Sequence, residues 1–174
     1  MKALATRLKE FTAQELRDMY QDFNIKDEEF IPMFFRGQKT DYTISKYGNV
    51  IGKRGHKLKW TIKNTLGRPE ASVTVYPPTD EGQFTDEGFE YGAKNKAVTL
   101  YVHRLVAIHF LPFPEYLPEQ LRDDWNKVSE STQNLIRDSL QVDHLDGNTY
   151  NPRWDNLEWV TVKENARRVV RKEK

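Results

Sequence analysis

Hydrophobic and polar positions follow several rhythms along the chain. Phe11, Leu16, Met19, Tyr20 and Phe23 recur close to a 3.6-residue spacing, which predicts that residues 1 to about 30 are helical. Thr12 is the candidate N-cap, with Glu15 three residues on. From residue 39 the rhythm shortens. Runs at 42–44, 49–51, 58–62 and 72–76 are β-prone and separated by Gly48, Gly52, Gly55 and Gly67, which predicts a small antiparallel sheet. Residues 76–96 carry Pro77, Pro78 and an acidic series through Glu90; they predict a loop or long hairpin tip. A strand over 97–102 should lead into a helix from His103 to about Phe110. Pro112, Pro114 and Pro118 then mark a linker. Residues 119–140 read as one or two helices with an interrupted apolar stripe of Leu121, Trp125, Val128, Leu135, Ile136 and Leu140.

The last stretch, 142–168, has the densest chemistry. Residues 142–145 predict a short strand, and Asp146-Gly147-Asn148 a tight turn, because Gly and Asn tolerate positive φ. Asn151-Pro152 prolongs the loop. Leu157-Glu158-Trp159-Val160 predicts a second strand. Thr161 and Glu164 then form a capping-box pair that opens a helix bearing Asn165 near its start. In an extended segment Asp143 and its neighbour His144 point to opposite faces.

The order strand, loop, strand, helix with these residues resembles the HNH nucleases, whose ββα-metal finger cuts phosphodiester bonds. It is most similar to the phage homing endonucleases in which the last motif position is Asn. Residues 102–110 (VHRLVAIHF) resemble a segment those enzymes carry just before the finger. Residues 41–50 (DYTISKYGNV) resemble their modular N-terminal DNA-binding motif. The likeness spans about residues 39–170, apart from one insertion. It implies an α+β chain in four parts: an N-terminal helical segment (1–36), a basic β-rich DNA-binding region (37–102), a helix plus helical insertion (103–141), and the finger with a basic tail (142–174). Its implied activity is that of a DNA endonuclease, with His144 as general base, since imidazole takes protons near neutral pH. Asn156 would hold the loop so that His144 is aimed. Asp143 and Asn165 would supply oxygens to one divalent cation, Mg²⁺ or Mn²⁺. Two other readings stay open: a DNA-binding regulator that keeps the finger as a scaffold, and a non-specific nuclease.

Charge sharpens the partner. The formal net charge of +1 is uninformative by itself, but no acidic residue lies between Lys46 and Arg68, where Lys53, Arg54, Lys57, Lys59 and Lys63 accumulate. That cluster suits DNA phosphates. His103, Arg104, Arg153, Arg167 and Arg168 are further candidates for contact with double-stranded DNA. The acidic loop of 76–96 is expected to point away from it. The absence of cysteine removes disulfides and thiolate chemistry and fits an intracellular protein, in the host cytoplasm if phage-encoded. No apolar run is long enough to span a membrane. One site per chain suggests a monomer that nicks one strand, with double-strand cutting only if two chains act together; the helical insertion either braces the finger or supports a partner or dimer contact.

Overall fold

The computed structural model describes residues 11–35, 37–65, 68–76, 83–85, 88–90 and 97–172. Helix α1 (Ala13–Tyr20) begins at the expected capping box: Thr12 Oγ1 accepts from Glu15 N at 3.2 Å and Glu15 Oε2 accepts from Thr12 N at 2.7 Å. It stops at Tyr20, ten residues short of the expected reach, because Gln21 is used elsewhere. The buried Gln21 amide donates to Leu58 O (2.7 Å) and Asn49 Oδ1 (3.3 Å), and its Oε1 accepts from Trp60 N (2.8 Å). These bonds tether the helix end to the sheet.

Strands β1 (Phe30–Phe35), β2 (Gln38–Ser45) and β3 (Val50–Ile51) form one antiparallel sheet in the order β1-β2-β3. β1 lies in the segment expected to be helical; its FIPMFF sequence has no clean alternation, and only Met33 is fully buried. Strands β4 (Thr61–Thr65) and β5 (Arg68–Val75) form a second sheet with a later strand, while β6 (Gln83–Thr85) and β7 (Gly88–Glu90) pair with each other. The rest of 77–96, and with it the expected direction of that loop, lies outside the described residues. β8 (Val98–Tyr101) completes the order β4-β5-β8 and runs without a break into α2 (Val102–Phe110).

Helix α2 is the shared wall of the molecule. Val102, Leu105, Val106 and Ala107 are buried in one core with Ile44, Val50, Trp60, Val73 and Val75. The helix also packs against both strands of the C-terminal ribbon. Its contact with the N-terminal sheet passes through Gly48, at φ +85°, where an added Cβ would lie 2.6 Å from Val102 Cγ1 and 3.1 Å from Pro152 Cγ. Trp60 Nε1 donates to Gly48 O at 3.0 Å, and Trp154 N donates to Lys46 O at 3.0 Å. The β2–β3 turn is thereby bonded directly to the loop that follows His144.

The insertion folds as α3 (Glu119–Arg122), a 3₁₀ turn (Trp125–Lys127) and α4 (Glu130–Ser139). The break is local: Trp125 turns into the core, and Ser129 becomes the N-cap of α4, accepting from Thr132 N at 3.3 Å. Phe113 sits edge-on between Trp125 and Trp159, each at 5.2 Å, and Trp159 Nε1 donates to Leu111 O at 3.1 Å. These rings fasten the insertion to the ribbon. His109 ties α2 to β1: its Nε2 accepts from Phe34 N (2.9 Å), and Nδ1 lies 2.8 Å from Leu105 O.

Candidate active site

Strands β9 (Gln141–His144) and β10 (Leu157–Val160) form a two-stranded antiparallel ribbon, followed by helix α5 (Val162–Lys172). The register sets His144 opposite Leu157 and Asp143 opposite Glu158. Alternation sorts the two faces. Val142, His144, Leu157 and Trp159 lie on one, towards α2, while Gln141, Asp143 and Glu158 lie on the other, where α5 packs.

His144 is 4% exposed, with its ring 5.1 Å from that of His103 at an interplanar angle of 64°. Asp143 Oδ1 accepts from His144 N at 2.9 Å. Beyond His144 the loop is held by Asn156, which closes a 3₁₀ turn (Trp154–Asn156). Its Oδ1 accepts from Asp146 N at 3.0 Å, and its Nδ2 donates to Asp146 Oδ1 (3.0 Å) and Asn151 O (2.9 Å). Asn156 O also accepts from Leu145 N at 2.8 Å. A buried amide with all these partners is a strong local constraint. Asp146 completes the turn by accepting from Asn148 N at 2.7 Å and Asn151 Nδ2 at 2.9 Å.

On the other face, Thr161 Oγ1 caps α5 by accepting from Glu164 N at 3.2 Å. Asn165 Nδ2 donates to Gln141 Oε1 at 2.7 Å. The Glu164 carboxylate turns to Arg168 (2.7 Å). Arg168 also pairs with Glu158 and lies 3.3 Å from Asp143 Oδ2. Its guanidinium pKa is raised, Glu158 being the largest cause and Glu164 the next among its partners.

Residues 100–167, which contain these groups except Arg168, match the HNH endonuclease family. The match covers 68 of the 174 residues, the C-terminal part of the chain. A solved structure titled "DNA binding and cleavage by the HNH homing endonuclease I-HmuI" is similar at a TM-score of 0.50 and 26% identity. The likeness covers 83% of this chain and 59% of that one, so this chain matches a little over half of that protein's length. No curated protein matches.

HNH nucleases generally use a divalent metal. Among the described residues, no three His, Asp or Glu side chains are grouped to hold one. The candidate donors are the Asp143 carboxylate on β9 and the Asn165 amide on α5. An all-oxygen set of this kind suits a hard cation that keeps several waters, so the chemistry fits. Arg168 is the group a cation would have to displace from Asp143 Oδ2.

The basic candidates divide sharply. Arg54, Lys59, Arg153 and Arg167 are exposed. Lys53 is exposed but paired with Asp41 at 2.7 Å. Arg153 is bonded to Asp155 (3.0 Å) and lies 5.0 Å from the Tyr47 ring centre. Lys63 sits on β4 at the register position of Glu70. Lys57 turns inward, donating to Phe23 O at 2.8 Å and pairing with the buried Glu28 carboxylate. Arg104 also faces inward: its Nη1 donates to Leu140 O at 3.1 Å, with the guanidinium 5.7 Å from the Trp159 ring centre. Burial holds His103 neutral, with the nearby His144 and Arg104 adding to the effect, and its pKa falls to about 3.

Sequence reasoning passed over Glu158 and Gln141, and gave Glu164 only a capping role, whereas its carboxylate turns to Arg168. Alternation in Leu157-Glu158-Trp159 gave a signal for Glu158, since a lone acid between two buried apolar residues must face the opposite side. Nothing local marked Gln141, whose partner lies 24 residues away.

Proposed function

We propose that the chain is a divalent-metal-dependent DNA endonuclease of the homing type that nicks or cuts double-stranded DNA at a preferred site. The observation that carries this reading is the placement of His144 and Asp143 on opposite faces at the end of β9, beside a loop locked by Asn156, within the stretch that matches the HNH endonuclease family. His144 takes the proton of the attacking water, an effect worth about 10²–10⁴-fold. Asp143 and Asn165 hold the cation, Mg²⁺ or Mn²⁺. When bound, it relieves charge at the phosphate and stabilises the departing 3′ oxygen. His144 is 4% exposed, and catalytic contacts that are long in a free enzyme commonly tighten only in the complex.

Arg54, Lys59, Arg153 and Arg167 supply exposed positive charge for the phosphates. One site per chain makes the protein a nicking enzyme as a monomer and a double-strand cutter when two chains act together. A phage-encoded enzyme of this kind would work in the host cytoplasm. Among the described residues, no helix is long and apolar enough to cross a membrane.

One observation favours a second reading. Arg168 already neutralises Asp143, as it would in a finger retained only as a DNA-binding scaffold. The deciding experiment incubates supercoiled DNA with Mg²⁺ or Mn²⁺ and compares wild type, His144→Ala and EDTA. Discrete products lost in both controls are the expected result. Binding without cutting at either metal, unchanged by His144→Ala, would establish the scaffold. Cleavage spread evenly over a random plasmid would establish a non-specific nuclease.

A further inference from the structure

We infer that His103 is a positioning residue for His144, a flat wall in the first turn of α2 that sets the orientation of the general base. The inference rests on His144 being that base. It starts from a mechanical weakness: β9 and β10 are four residues each, and an isolated two-stranded ribbon is marginally stable at best. A side chain at the end of such a ribbon needs backing from outside it.

The first turn of α2 provides that backing at two points. Arg104 holds the entry to β9 through Leu140 O and lies over Trp159. His103 meets the exit, placing its ring against His144 at 5.1 Å with edge-on geometry. On its other side His103 stacks with Tyr101, with centroids 5.7 Å apart and an interplanar angle of 24°. It is thus fixed between two rings, and edge-to-face contacts of this kind have preferred orientations. The base of the wall is equally fixed, because the preceding Val102 is fully buried against Gly48.

The position of His103 separates it from a DNA contact. Its Nδ1 is buried and has no hydrogen-bond partner among the described residues. A group meant for a phosphate would lie at the surface and carry charge, whereas burial keeps this imidazole neutral. A neutral ring also adds no repulsion when His144 takes up a proton. Packing alone explains a ring here; aiming the base explains why the ring meets His144.

The test compares His103→Ala and His103→Phe with wild type in two independent assays. The first measures single-turnover cleavage and DNA affinity separately. We expect His103→Ala to slow cleavage by about 10- to 100-fold, the scale of a small misplacement, with Kd for DNA unchanged. His103→Phe, which restores the flat ring, should recover to within about threefold of wild type on the same scale. Equal losses in rate and affinity would make His103 a DNA contact and overturn the inference. An unchanged rate in His103→Ala would do the same, and so would a His103→Phe enzyme as slow as the alanine variant.

The second assay records the His144 ring resonances by NMR in the free protein, without metal or DNA. His103→Ala should shift and broaden them, while His103→Phe should leave one sharp set; identical spectra in all three proteins would overturn the inference. If His103→Ala does not fold, His103→Leu replaces it, filling the volume without a flat ring. If the wild type cuts no DNA, the proposed function fails, and the NMR comparison still decides whether His103 orients His144.

Discussion

Arg168 Nη1 lies 3.3 Å from Asp143 Oδ2, reaching from the second turn of α5 to the strand that carries the candidate base. Glu158 and Glu164 share the same guanidinium, so three carboxylates gather around one cation. Arg168→Gln removes that cation. The variant should lose about 1–2 kcal/mol of stability, between the values for exposed and buried pairs. It should also gain more from Mg²⁺ or Mn²⁺ than wild type does. Thermal unfolding with and without metal checks both; an equal metal-dependent shift in the two proteins would count against displacement of Arg168.

Asn156→Ala deletes the amide that ties Asp146 to Asn151. Losing these bonds from a buried group should destabilise the protein by about 2–3 kcal/mol and release the loop beside His144. Asn156→Asp should be worse at neutral pH, because it sets a second carboxylate against Asp146 Oδ1. Urea unfolding ranks the variants, with cleavage measured below each transition. Equal stability for the Ala and Asp forms would contradict the assigned geometry.

Gly48→Ala combines positive φ with a Cβ that would collide with Val102. Left-handed strain and overpacking together should cost about 2–4 kcal/mol. The melting temperature is the readout, and a neutral result would mean the turn sits differently against α2.

His103 gives a pH signature. Its folded pKa of about 3 lies below the ordinary histidine value of 6.5, so the unfolded chain binds the extra proton first as pH falls. Its contribution to stability is therefore intact above about pH 6.5 and declines towards pH 3. The slope from this one group approaches about 1.4 kcal/mol per pH unit. His103→Phe should flatten that limb in urea titrations between pH 4 and 7. His109, also shifted downwards by burial, should leave a residual slope.

The basic residues should separate in DNA-binding assays. Arg54→Ala or Lys59→Ala should lower the salt dependence of binding by about one phosphate contact each, with little change in stability. Lys57→Ala should do the reverse, because it removes the cation that faces the buried Glu28 carboxylate and leaves it only Ser45 and Asn49. Titrations at several salt concentrations, paired with thermal melts, would reveal any exchange of these roles.

Much of this was legible in the chain because local signals agreed. The Thr12 and Thr161 caps, the helix expected from His103 and the turn chemistry of Asp146-Gly147 all pointed to elements the structure contains. The early end of α1 was not legible: it is set by bonds from Gln21 to Leu58 and Trp60, at separations of 37 and 39 residues. The same is true of the direction of each cation. Lys57 and Lys59 are two positions apart in one basic run, yet Lys57 meets a buried acid from another segment while Lys59 stays in solvent. Composition marks a charged region, but tertiary contacts decide which charges remain available. The role of His103 was hidden similarly, since its neighbour in space, His144, is 41 positions away in the sequence.

The bond from Trp154 N to Lys46 O, with Gly48 wedged against Val102 and Pro152, has a consequence for retargeting. A reader joined to a cutter by a tether can be moved by changing the tether's length. Here the β2–β3 turn and the loop after His144 share a backbone hydrogen bond; if the sheet contacts DNA and His144 cuts it as proposed, the offset between the DNA touched by the turn and the bond cut would be a constant of the molecule. New targets would have to be reached by changing side chains on the sheet surface. Grafting a different sheet would succeed only if it brought its own glycine turn and a matching carbonyl for Trp154.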